Sequence, residues 1–83
     1  MEKIINMIEQ LLPIFRNVFD DDDLVINSST TVQDVDGWDS LAHIRLIVAI
    51  EKSFGLRFST AEISGVENVG QMAELILCKQ ANV

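Results

Sequence analysis

From Ile4 onward the apolar residues Ile4, Ile8, Leu11, Leu12, Phe15, Val18 and Phe19 recur three or four positions apart, the spacing that lines one face of an α-helix. The pattern predicts a first helix over residues 3–19. Pro13 falls inside the stripe, where it removes a backbone donor and crowds the preceding turn, so a kink or short break is expected near Leu12. The stripe resumes beyond it, which keeps both halves on one core.

Residues 20–39 change character, reading DDDDLVINSSTTVQDVDGWD, rich in residues that favour turns and caps over regular structure. A connection of this length is uncommon in a compact domain and usually serves a function. Leu24, Val25, Ile26, Val32 and Val35 are spaced through it, so it reads as a loop laid across the fold and pinned by apolar anchors. Residues 40–54, SLAHIRLIVAIEKSF, form a second helix closed by Gly55, a residue suited to a left-handed C-terminal cap. Ser59 and Glu62 have the spacing of a capping box, and Gly65 soon after allows only a turn or two of a short third helix. Asn68 followed by Gln71 marks the start of a last helix, with Val69, Met72, Ala73 and Ile76 on its buried face and its end near Ala81. The expectation is an all-α, single-domain bundle over residues 1–83: three longer helices, one short one and a long first loop.

The 83 residues are 48% hydrophobic, enough for one modest core and too few for a second domain or an elaborate cleft. Thirteen acidic against six basic residues give a net charge of −7, which repels nucleic-acid backbones and favours partners with basic patches. No apolar run approaches the roughly 20 residues of a membrane span, and the charged opening lacks the form of a secretory signal. The single cysteine, Cys78, permits no internal disulfide and reads as a small apolar filler. These features suggest a cytoplasmic monomer.

The chemistry concentrates in Asp36-Gly37-Trp38-Asp39-Ser40-Leu41, where a glycine-containing turn delivers a serine to the start of an apolar helix. A phosphate ester on Ser40 would lie beside the unsatisfied N–H groups and positive dipole end of that helix. Taken alone, Asp-Ser before a helix is more often a plain N-cap. The aspartates at 20–23 read as a solvated turn, and DVDGWD lacks the next acid and the distal glutamate of a calcium loop. No metal site is expected. No nucleophile, base and orienter form a set, and no glycine-rich phosphate loop is present, so an independent enzyme is disfavoured.

Asp39, Ser40 and Leu41 match the Asp-Ser-Leu triplet at the phosphopantetheine attachment site of acyl carrier proteins, which the chain resembles. Ile44, Leu46, Ile47, Ala49, Ile50, Glu51 and Phe54 match that family's second helix, and the long loop, short third helix and closing helix match its architecture. The resemblance implies that a phosphopantetheinyl transferase moves the arm from coenzyme A onto the Ser40 oxygen, forming a phosphodiester and releasing the nucleotide. The arm's thiol then carries acyl groups as thioesters, while Asp39 flanks the site as a recognition residue. Other implied partners are an acyl ligase or acyltransferase and further pathway enzymes. The family also shelters acyl chains between helices, and Ile44, Ile47, Ile50, Phe54, Ile63, Val69 and Met72 could line such a space or simply pack the core.

Helical geometry groups His43, Ile47, Ile50 and Phe54 on one side of the second helix and Leu41, Arg45, Val48 and Lys52 on the other. The latter face docks partner enzymes in the family. Fatty-acid-synthesis carriers are dense with acids there, whereas this chain has Ala42, Arg45, Lys52 and Ser53, with only Glu51 nearby. That departure suggests a dedicated carrier for polyketide, lipid, glycolipid or polysaccharide biosynthesis. A peptidyl or aminoacyl carrier and an unmodified acidic adaptor docking through Leu41 and Val48 are the rival readings. Trp38 reads first as a loop anchor and second as packing for the phosphate end of the arm. His43 reads as a packed structural histidine, since a stable carrier needs no activated serine.

Overall fold

The computed structural model describes residues 2–81. Its helices are α1 (Glu2–Phe19), α2 (Ser40–Phe54), α3 (Thr60–Ser64) and α4 (Val69–Ala81), with a single 3-10 turn, Val32–Asp34, in the α1–α2 connection. Met7, Ile8, Leu11 and Phe15 of α1 are buried against Leu46, Ile47 and Ile50 of α2 and Val69, Met72, Ala73 and Ile76 of α4. With Ile26, Val35, Trp38 and Leu56 from the connections, these side chains form one core cluster among the described residues, because each helix carries an apolar stripe that needs covering.

The break expected at Pro13 is absent, and α1 runs through it without interruption. Pro13 and Glu9, whose carbonyl loses its donor, are both exposed, so the missing bond falls on the wet side of the helix. Leu11 and Phe15, each 0% exposed, hold both halves on the core. The helix ends where Asp20 turns left-handed at φ 51 and the N–H of Asp21 donates to the Arg16 carbonyl at 3.0 Å. Aspartate is among the few side chains that tolerate this conformation.

The loop is pinned differently from the sequence pattern. Ile26 and Val35 are buried, but Val25 is 75% exposed and Val32 38% exposed, so these two do not anchor it to the core. Polar contacts take over part of the task. The buried Thr30 hydroxyl accepts from the Asn27 N–H at 2.8 Å, and the carbonyls of Thr30 and Ser28 accept from the N–H groups of Val69 and Gly70. Donors left over by the first turn of α4 are thereby used to fasten the loop.

The remaining caps follow the sequence closely. Asn68 Oδ1 accepts from the Gln71 N–H at 2.8 Å, and Gln71 Oε1 accepts from the Glu67 N–H. Ser59 and Glu62 form the reciprocal capping box of α3. Gly55 closes α2 in the left-handed region at φ 67, its N–H donating to the Glu51 carbonyl. Glu51 Oε2 also accepts from the Phe58 N–H at 2.9 Å, which ties the end of α2 to the strand of chain leading into α3.

Candidate functional site

Val35 and Trp38 are buried on either side of the exposed Asp36-Gly37 pair. Gly37 takes φ +85, a value that side chains other than glycine rarely adopt, and the Trp38 N–H donates back to the Val35 carbonyl. This turn fixes the direction of the next residues. Asp39 is the N-cap of α2, its Oδ1 accepting from the Ala42 N–H at 2.9 Å. Capping therefore falls to Asp39, and Ser40 begins the helix with its side chain exposed. The hydroxyl sits at the positive end of the helix without being spent on the cap.

Beside Ser40 lies a groove of about 490 Å³, lined by Val32, Trp38, His43, Ile44, Ile63 and Val66 among others. Its inner wall is a hydrogen-bonded chain. Trp38 is buried, with its ring edge-on to Phe15 at a centroid distance of 5.4 Å and close to Phe19 at 5.9 Å. Its Nε1–H donates to His43 Nδ1 at 3.1 Å. An indole nitrogen can only donate, so Nδ1 must be the acceptor and the proton of a neutral ring sits on Nε2. That nitrogen lies 3.3 Å from the Ile63 carbonyl oxygen and donates to it. Trp38 is thus both a loop anchor and part of the groove wall, and His43 is a structural bridge between α2 and α3.

The outward face of α2 has a different character. Leu41 and Val48 are 59% and 41% exposed, and Arg45, Lys52 and, just beyond the helix, Arg57 are exposed around them. Among the described residues the only ion pair is Lys79 with Glu62, at 2.9 Å. Neither Arg45 nor Lys52 is neutralised by Glu51, whose carboxylate is held by the Phe58 N–H. The Ser59 backbone N–H and then the Lys79 ammonium hold the Glu62 carboxyl below the usual carboxylate range.

Of the apolar residues picked out as a possible chain lining, Ile44 and Ile63 face the groove. Ile47, Ile50, Val69 and Met72 lie in the core, and Phe54 is half-buried against it. Val32 and Val66, which the sequence pattern did not mark for this role, complete the groove. Their only sequence signal is being apolar in turn-rich segments, since tertiary packing alone brings them opposite Ser40. Cys78 is exposed and so is not a core filler. Among the described residues no cluster of three or more His, Cys, Asp or Glu side chains could hold a metal ion, and no helix is long and apolar enough to cross a membrane.

Residues 2–76 match the family described as the phosphopantetheine attachment site. Among solved structures, the chain is similar to the holo acyl carrier protein from Geobacter metallireducens, determined in solution by NMR. The two share 40% sequence identity with a TM-score of 0.85, over 99% of this chain and 90% of that one. No curated protein matches the chain.

Proposed function

The chain belongs to the phosphopantetheine attachment-site family, and from that premise we propose that Ser40 bears the 4′-phosphopantetheine group of an acyl carrier serving a specialised biosynthetic pathway. The prosthetic group and the acyl-carrier role go with the family match and the likeness to a holo acyl carrier protein. The choice of residue and pathway type is our own reading. Its main support is the exposed Ser40 at the first position of α2, with the capping duty taken by Asp39.

The residues present fit such a group. Ser40 offers the oxygen for the phosphodiester, the first N–H groups of α2 favour its negative charge, and the groove of about 490 Å³ alongside offers apolar cover. When bound, the group supplies a terminal thiol that holds acyl chains as thioesters. Asp39 keeps the helix start rigid and presents a carboxylate next to the attachment point. Ile44, Ile63, Val32 and Val66 give the groove its aliphatic lining. The remaining candidates, Ile47, Ile50, Phe54, Val69 and Met72, would meet a chain only where it entered the packed interior.

Leu41 and Val48 with Arg45 and Lys52 form the surface on which we place the phosphopantetheinyl transferase, the acyl ligase or acyltransferase and other pathway enzymes. Cations around exposed apolar residues attract acidic rims and repel basic ones. A carrier with this face is suited to dedicated partners. The cytoplasm, where coenzyme A is available as donor, is the compartment this reading requires.

Intact mass spectrometry after incubation with coenzyme A and a broad-specificity phosphopantetheinyl transferase tests the assignment. The wild type should gain the mass of one arm and Ser40→Ala none. Modification at another residue, or none at all, would overturn it.

A further inference from the structure

His43 stands one turn beyond Ser40, at the head of the inward stripe that continues through the buried Ile47 and Ile50. One ring nitrogen is held by Trp38 at 3.1 Å and the other reaches the Ile63 carbonyl oxygen at 3.3 Å. The ring thereby links the aromatic cluster of Phe15, Phe19 and Trp38 to α3. Ile44, Ile63 and Val66 line the groove together with the ring, and Ile47 and Ile50, further along α2, lie in the core.

Helix α3 depends on such fastenings. It is five residues long and has no fully buried side chain, and a helix this short has little stability of its own. The Lys79–Glu62 pair secures it toward α4, and the His43–Ile63 hydrogen bond secures it toward α2 at the edge of the groove.

We infer that His43 biases which acyl chains this carrier shelters and where: as a strap from α2 to α3, it favours the outer groove over the core for a cargo chain. The inference rests on the carrier reading of Ser40. An arm leaving Ser40 along α2 meets Ile44 and Ile63 first, and the acyl chain at its far end must part the ring from the Ile63 carbonyl before it reaches Ile47. A short chain is accommodated with the strap closed, and a long one competes with it. One neutral hydrogen bond biases such a closed–open equilibrium about fivefold, so His43 selects by chain length and does not seal the interior.

The test uses wild type and His43→Leu, which keeps an apolar side chain of similar reach but makes neither hydrogen bond. Each is loaded at Ser40 from butyryl- or decanoyl-coenzyme A by the transferase, and loading is verified by mass. Backbone amide shifts are then compared with those of the unacylated holo-protein, and thioester cleavage by hydroxylamine is timed. In the wild type both chains should shift Ile44 and Val66, with Ile47 and Ile50 unmoved by the butyryl chain and moved by the decanoyl chain far less than in His43→Leu. In His43→Leu the decanoyl chain should shift Ile47 and Ile50 strongly, and its thioester should be cleaved up to about fivefold more slowly than in the wild type, with the butyryl form unchanged. If His43→Leu does not fold, His43→Phe, which keeps a ring but makes neither hydrogen bond, is read in the same way. Equal shifts at Ile47 and Ile50 in wild type and variant overturn the strap. Failure to load Ser40 overturns the carrier reading and the strap with it, and the mass shows this before any shift is measured.

Discussion

Gly70 donates its N–H to the Ser28 carbonyl at 3.0 Å, and a Cβ on Gly70 would come within 2.8 Å of that same oxygen. The long loop and the first turn of α4 approach each other this closely only because Gly70 has no side chain. Gly70→Ala should therefore destabilise the fold by about 1–3 kcal/mol, the usual cost of overpacking. A lower urea midpoint with an unchanged slope is the expected result. Ser28→Gly should not rescue it, because the obstructing atom belongs to the backbone.

Asp39 has two duties that substitution can separate. Asp39→Ala removes the acceptor for the Ala42 N–H and should cost about 1 kcal/mol of stability. Asp39→Asn keeps a capping oxygen and should remain close to wild type in thermal unfolding. If the transferase reads the carboxylate, loading of Asp39→Asn should nevertheless fall about tenfold, the difference between a charged and a neutral hydrogen-bond acceptor. Wild-type loading of the asparagine variant would leave Asp39 with a capping role alone.

Local rules carried most of the fold in the sequence. Ser59 with Glu62 and Asn68 with Gln71 were legible because a cap is made within four residues, and the helical stripes because their period is fixed by backbone geometry. What depended on three-dimensional neighbours was not legible. Ile26 and Val25 are adjacent and both apolar, yet one is buried and the other exposed, since the direction of a loop residue has no period to reveal it. Thr30 became an anchor through its backbone and hydroxyl, which an apolar count overlooks. The same limit applies to the site. Ser40 and its turn could be read directly, whereas Val32 and Val66 belong to the groove only because the loop and the α3–α4 connection meet there.

The attachment of α3 should weaken in acid. The Ser59 N–H and Lys79 hold the Glu62 carboxyl below its ordinary value, so the folded state favours the ionised form. Its contribution to stability is complete above the unfolded-chain pKa and is lost as pH falls through the lowered folded pKa. Protection factors of the Thr60–Ser64 amides, corrected for the pH dependence of intrinsic exchange, should fall over that window ahead of those in the core of α1 and α2. Glu62→Gln should remove this acid dependence while leaving exchange in α3 faster at neutral pH. Acid sensitivity that persists unchanged in Glu62→Gln would place its origin elsewhere.

The outward face of α2 allows a test in which charge and apolar contact separate. Leu41 and Val48 are unchanged in the double variant Arg45→Glu/Lys52→Glu, so the contact area offered to a partner stays the same while its charge reverses. Encounter rates respond to such a change far more than turnover does, because the field acts during approach. With a transferase or acyltransferase whose carrier-binding rim is basic, the second-order loading rate should rise about tenfold at low salt. With a partner dedicated to the native face it should fall by a similar factor, and both differences should shrink once the Debye length drops to a few ångströms near molar salt. An effect confined to kcat, or one indifferent to ionic strength, would mean that Arg45 and Lys52 are solvated bystanders and that partner choice lies with the apolar pair.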